Sequence, residues 1–441
     1  MNTIEYFKEH FDQLQAKEPG SNLETIRLRS FNEFAERGIP TLRNEEWKYT
    51  RIGSLFNKEY DFPFYEENIS ANDINAVRLP GHEDANELVF INGNFSKTFS
   101  KILSADLIAL PIEIAAQNEY SELVKQHLGH SSYYLKDGIN ALNTAFVHGG
   151  VFIHVEKGKA PEHPVYIYNI TDARTVNVLA QPRSLVHIHE NAQVQIVETY
   201  TTIGSSASFT NQVMEIIVEQ NAIVEYYKIQ NDASHASQVS TTHIRQVGKS
   251  FTHTVTISLN GDIVRNNLNV VMEADHCEAH MYGLYFQSGK THVDNHTVVD
   301  NRSPHCLSNQ LYKGILNDDA TGVFNGKIFV RQIAQKTNAY QSNKNILLSE
   351  GATINAKPQL EIFADDVKCS HGCTVGKLDD EGLFYLRSRG ISEKMARALL
   401  VQAFAVDVLE HIKPAAIRLY VDQIISQRLE FPIPHEEEDV V

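Results

Sequence analysis

Between residues 151 and 377 the hydrophobic positions recur with a period of two, in runs such as VFIHV, VYIYNI, LVHIHE, VQIVETY, MEIIVE, IVEYYKI and INAKPQLEIFADD. Side chains of an extended strand alternate between two faces, so this period, with its excess of Val, Ile, Tyr and Thr, predicts strands. No helical stripe interrupts them for over 200 residues. On either side the period is helical. Ile4, Phe7, Phe11 and Leu14, then Leu23, Ile26, Phe31 and Phe34, predict two amphipathic helices broken at Pro19-Gly20. A mixed stretch to residue 145 reads as an irregular α+β cap, with loops over 68–75 and 80–86. After the strands, Phe384-Tyr385-Leu386 opens a helix that Gly390 stops. Ser392 caps a second helix and Pro414 starts a third, before an acidic tail over 431–441 that is expected to fray. The chain therefore divides into an N-terminal helical and α+β cap (1–145), a β core (146–378) and a C-terminal helical domain (379–441).

The turns indicate how the strands are arranged. Short acidic signals recur at Glu156-Lys157-Gly158, Glu190-Asn191-Ala192, Glu219-Gln220-Asn221-Ala222, Glu273-Ala274-Asp275 and Glu350-Gly351-Ala352, with separations of 34, 29, 54 and 77 residues. These approximate one, one, two and three multiples of a unit of roughly 26 to 30 residues, the signature of a solenoid of stacked coils. A sandwich or jelly roll remains the alternative on this pattern alone.

The 441 residues carry 39 Lys+Arg against 55 Asp+Glu, a net charge of -16 that disfavours a protein tracking a phosphate backbone. The apolar stretch from Ala398 to Leu409 is interrupted by Gln402 and Asp407, too short and too polar for a membrane span. The first residues carry no apolar signal core, so the expected location is cytoplasmic. Cys277, Cys306, Cys369 and Cys373 form no C-x-x-C pair and are read as reduced thiols.

Two segments approach a phosphate loop and miss it. Gly283 to Thr291 has five residues between the glycines instead of four, and Arg245 to Ser250 lacks the first glycine, so both read as turn glycines in β structure. G-x-S-x-G and H-E-x-x-H are absent. His187/His189 and His292/His296 are read as surface imidazoles without a third placed ligand. The segment Val367 to Gly376 differs, because Cys369-x-His371-x-Cys373 puts three metal-binding side chains on one face of an extended strand, with Asp365-Asp366 adding oxygen donors. Buried structural thiols are the competing reading. Cys277 and Cys306, 29 residues apart, are expected as small core residues in adjacent coils.

The stretch from His292 to Arg389 carries Asp294-Asn295-His296-Thr297-Val298-Val299-Asp300, Tyr312-Lys313-Gly314, Val323-Phe324-Asn325-Gly326-Lys327-Ile328, the run from Lys357 to Gly376, and Phe384 to Gly390. It resembles the SufB/SufD family of iron-sulfur cluster scaffolds, and the Lys368-Cys-Ser-His-Gly form points to the SufD branch. With Glu46-Trp47-Lys48-Tyr49-Thr50 the resemblance spans nearly the whole chain. It implies a mainly β, right-handed parallel β-helix with helical ends. It also implies a non-catalytic scaffold that pairs with a SufB-like paralogue and docks the ABC-type ATPase SufC, which carries the nucleotide site. His371 and Cys369 match positions facing the SufB-like partner, where a transient iron-sulfur cluster assembles, and no cofactor is expected to stay tightly bound to the isolated chain. Cys373 stands where the family has alanine and is a further metal candidate; Asn301 stands where a histidine is expected. The C-terminal stripe over 393–428 is the expected ATPase surface. Neither nucleic acid nor membrane is expected as a partner, and a homodimer is the alternative assembly of the chain alone. Two competing readings are a β-helix polysaccharide lyase or hydrolase and a structural homodimeric docking protein. The first wants aromatics along a solenoid groove, whereas the single tryptophan, Trp47, lies outside the solenoid stretch.

Overall fold

The computed structural model describes residues 3–62 and 69–429; the acidic tail falls outside them. Sixteen parallel strands alternate between two sheets, eight in each, from Val151–Val155 and Val165–Ala173 in the first coil to Thr353–Ile362 and Lys368–Gly376 in the last. The stack is a β-solenoid, which decides against the sandwich and the jelly roll. Parallel register carries Phe251 to Glu278, then to Leu307, Asn338 and Lys368, steps of 27, 29, 31 and 30 residues.

One corner repeats a single backbone solution in five of the eight coils. Asn191, Asn221, His276, His305 and Lys336 all have φ between 57° and 62°. That left-handed conformation suits Asn and His better than most residues. Their N–H groups reach the next coil's corner, His276 to Pro304 O at 3.3 Å and His305 to Gln335 O at 2.9 Å. Four of the five acidic turn signals lie on this corner; Glu350-Gly351-Ala352 lies on the opposite one, so its distance from Glu273 is not a whole number of coils.

The interior is filled by Val, Ile, Met and Ala, with Tyr226, Tyr285 and Tyr312 as its largest members. Gly283 serves this packing and is not in a turn. It sits within the strand Glu278–Gln287, where a Cβ would come 2.2 Å from the Tyr312 ring. Both outer faces are also covered. The N-terminal helices Thr3–Lys17 and Glu24–Arg37 pack with Leu179, Phe209 and Val239 over the first sheet. The helices Glu393–Leu409 and Ala415–Arg428 lay Val401, Val408, Ile417 and Val421 on Val255, Ile257 and Leu284 of the second. Strands of the middle coils are thus buried on both faces; Ser208–Val218 is buried at every position.

Two expectations change. A helix, Ala71–Val77, capped by Ser70 and Asp73, occupies much of the stretch read as a loop over 68–75. The broad C-terminal stripe expected to receive a partner is used largely on the solenoid itself, with Lys313 Nζ tying Asp407 at 2.5 Å. Val406 and Leu419, at 36% and 49% exposure, remain on the outer side of those helices.

The Glu46–Thr50 segment is clamped to the first sheet. Arg265 lies 3.8 Å over the Trp47 ring and pairs with Asp294 at 2.7 Å, both side chains being almost wholly buried. Thr50 Oγ1 also bonds Asp294, while His296 and Lys327 reach Glu46. Removing one partner of a buried pair leaves the other charge uncompensated, so Asp294→Asn is expected to cost about 3–5 kcal/mol by urea unfolding. The hydrogen bond from His296, with help from Lys327, holds the Glu46 carboxyl near 2, below its usual 4.5. That contribution is complete above pH 4.5 and is lost as the pH falls towards 2. Acid titration of Glu46→Gln is expected to show a shallower stability loss across this window than the parent.

Candidate functional site

At the last coil the solenoid ends in two strand edges. Cys369, His371 and Cys373 pair with Ala339, Gln341 and Asn343 of the preceding coil. Ala339 belongs to the interior core, so the three side chains share the inward face and line an open mouth. Opposite them Ile354, Ala356, Pro358 and Leu360 continue the inward rows of Gly322, Phe324, Gly326 and Ile328. Cys369 is half-buried against the core, whereas His371 and Cys373 are exposed.

Backbone direction follows from the same alternation. Lys368 N–H bonds Thr337 O at 2.9 Å, which turns the N–H and C=O of Cys369, His371 and Cys373 to the free edge. Phe363 N–H bonds Val330 O at 2.9 Å, so Pro358 and Ile362 also face outward, and the N–H that Pro358 lacks costs the ladder nothing.

Beneath the mouth the interior turns polar. Cys373 Sγ donates to Asn343 Oδ1 at 3.7 Å, and Asn343 bonds Tyr285 Oη at 3.2 Å. Gln341 reaches Gln310, which accepts from Thr297 at 2.7 Å. Deeper still, Lys228 donates to Ser240 and Thr242, and burial lowers its amine to about 8.

The C-x-H-x-C spacing gives a shared face, as the sequence implies, but not a gathered site. Same-face neighbours on a strand start roughly 6.5–7 Å apart at Cα, and here the three side chains are not turned onto one point. Among the described residues the group of three with ligand atoms within 4.8 Å of one another is Glu18, Glu113 and His148. Asp365 and Asp366 are in the turn before the strand, where Asp366 pairs with Lys336. Burial raises the thiols of both Cys369 and Cys373 above the usual cysteine value, so both stay protonated at neutral pH.

The other candidates have structural surroundings. His187 is buried, not a surface imidazole: its Nδ1 lies 2.9 Å from His154 Nδ1 and its Nε2 2.9 Å from Glu219. His189 meets the same carboxylate at 2.7 Å. His292 and His296 belong to the clamp on Glu46–Thr50, a role that sequence reading missed because no local pattern links residues so distant in the chain. Cys277 and Cys306 are core residues of successive coils, as expected.

With this geometry in place, the chain matches two family models. Residues 169–404 match "SUF system FeS cluster assembly, SufBD core domain", and residues 1–167 match "SufBD protein N-terminal region". An iron-sulfur cluster assembly SufBD family protein of Synechocystis is 33% identical over 411 residues, covering 88% of this chain and 87% of that protein. The iron-sulfur cluster assembly protein SufD of Escherichia coli is 30% identical over 397 residues, covering 89% and 90%. A chloroplastic Arabidopsis protein, ABCI7, is 30% identical over 423 residues, covering 92% and 86%.

Exposure and thiol acidity together rank the cysteines. Iodoacetamide is expected to label Cys373 first and Cys369 more slowly, both with rates still rising past pH 8.5, the ordinary thiol value. Cys277 and Cys306 should stay unlabelled until urea unfolds the chain. Peptide mass spectrometry after timed labelling checks this; rapid labelling of Cys373 that levels off below pH 8 contradicts it.

Proposed function

The chain belongs to the SufBD family of SUF-system FeS cluster assembly proteins, and from that premise we propose that it is a non-catalytic scaffold subunit whose open mouth pairs with a SufB-like chain. The carrying observation is the coincidence of two features on one strand. Among the described strands Lys368–Gly376 is the unpaired edge of its sheet, and it also bears Cys369, His371 and Cys373. An unpaired edge recruits another strand through main-chain hydrogen bonds. A partner docked there meets the three side chains as part of the same contact.

Cluster chemistry asks for such an arrangement. An iron-sulfur cluster generally takes four protein ligands, and this strand supplies two or three of them. In the proposed complex His371 and Cys369 supply part of the set and the partner the rest, with a nascent cluster as cargo and none held tightly by the isolated chain. ATP hydrolysis belongs to a SufC-like ATPase on the outer side of the C-terminal helices, where Val406 and Leu419 are exposed.

No helix of the described residues is long and apolar enough to cross a membrane. The proposed setting is cytoplasmic.

Co-expression with a SufB-like chain and the ATPase tests the reading. His371→Ala is expected to lower cluster absorbance and acid-labile sulfide strongly, Cys369→Ala less, and Cys373→Ala hardly at all. Full loading in His371→Ala removes the assignment. Ile362→Pro deletes an N–H that faces the free edge, so the solenoid should keep its circular dichroism while capture of the SufB-like chain falls. Undiminished capture by a folded Ile362→Pro variant counts against edge pairing.

A further inference from the structure

The first coil meets the N-terminal helices through Glu18, Glu113 and His148, far along the solenoid from the mouth. Glu18 lies in the turn between the first two helices, Glu113 in the short helix Ile112–Ala115, and His148 in the loop leading into Val151–Val155. Their side chains are 23%, 20% and 24% exposed, sheltered yet within reach of a hydrated ion.

Other contacts place these donors. Glu18 Oε2 takes Arg27 Nη2 at 2.6 Å, and the buried Arg27 is itself anchored by Nε to Val147 O at 2.9 Å. Glu113 Oε1 accepts the Gly149 N–H at 2.7 Å. Gly149 has φ 60°, and a Cβ there would come 2.5 Å from Asn94 Oδ1, so the loop that carries His148 is closely fitted. Glu18 Oε1, the oxygen Arg27 leaves to others, lies 2.6 Å from His148 Nδ1; Glu113 Oε1 lies 4.0 Å from the same nitrogen.

We propose that these three residues bind a divalent first-row cation of the Mn2+, Fe2+ or Zn2+ class. Two carboxylate oxygens and one imidazole nitrogen make a hard-to-borderline set, and without a thiolate they disfavour Cu(I). Metal–donor distances of about 2.0–2.2 Å ask the donors to stand roughly 3 Å apart, so His148 and Glu18 separate slightly and Glu113 swings in by about 1 Å. Water fills the remaining positions. This site is independent of the mouth and of the scaffold reading.

The test uses the full chain carrying Cys369→Ser, His371→Ala and Cys373→Ser, which removes the donors of the mouth. Mn2+ is titrated in, and the free ion is followed by electron paramagnetic resonance. One Mn2+ per chain is expected, displaced by Zn2+, with affinity at least about tenfold lower in Glu113→Gln and in His148→Gln. Mn2+ should raise the melting temperature of the parent and not that of His148→Gln. Either variant decides the matter if its circular dichroism matches the parent. Absence of stoichiometric Mn2+ binding by the folded parent, or parental affinity in a folded variant, overturns the site.

Discussion

A coil of a parallel solenoid satisfies its backbone only against another coil, so the stack must end in unpaired N–H and C=O groups. The two ends of this molecule meet that constraint differently. At the first coil the N-terminal region supplies strands of its own: Asn86–Ile91 pairs parallel to Val165–Ala173, Asn94–Lys101 folds back on it, and Leu107–Pro111 runs antiparallel to Val151–Val155. At the last coil no described strand covers Thr353–Ile362 or Lys368–Gly376. Pro358 withholds one donor from that edge, and the exposed Lys368 adds charge, which limits indiscriminate strand addition.

With both outer sheet faces covered by helices, the covering layers need fixed positions. Apolar packing is directionless and does not supply them. Buried ion pairs do: Asp294 with Arg265 holds the Glu46–Thr50 segment, and Glu215 takes Arg183 at 2.5 Å together with the N–H groups of Gly129 and Ser131. Such pairs add little net stability over apolar replacements, because desolvation offsets the attraction. Their effect here is orientational, since each joins residues far apart in the chain at one geometry.

This explains what could be read from the sequence. The strands and the coil length were legible because several coils repeat the same corner, mostly with Asn or His in the left-handed position and a small residue after it, as in Asn221-Ala222, His276-Cys277 and His305-Cys306. The shared face of Cys369, His371 and Cys373 followed from strand alternation. The partners of His296 and Asp294 were not legible, because residues 46 to 50 reach them only through the folded sheet. Nor was the burial of His187, since a strand covered on both sides loses the polar alternation that marks a surface. The C-terminal stripe was legible as apolar, but not which surface it covers: an amphipathic helix shows that it has an apolar partner, not whether the partner is its own chain.

The acidity of the mouth's thiols bears on what kind of site an open edge can be. Desolvation keeps Cys369 and Cys373 protonated, so a metal must displace a proton to bind either one. In the proposed complex that cost would be offset by a second chain that brings further ligands and closes the mouth to water, strengthening each metal–donor interaction. Separation of the two edges in that complex would return the ligand set to one strand, reprotonate the thiols and leave the bound group with too few donors. On the proposed reading, the unpaired edge and the raised thiols therefore act together: pairing assembles the ligand set, and parting of the two edges releases what it held.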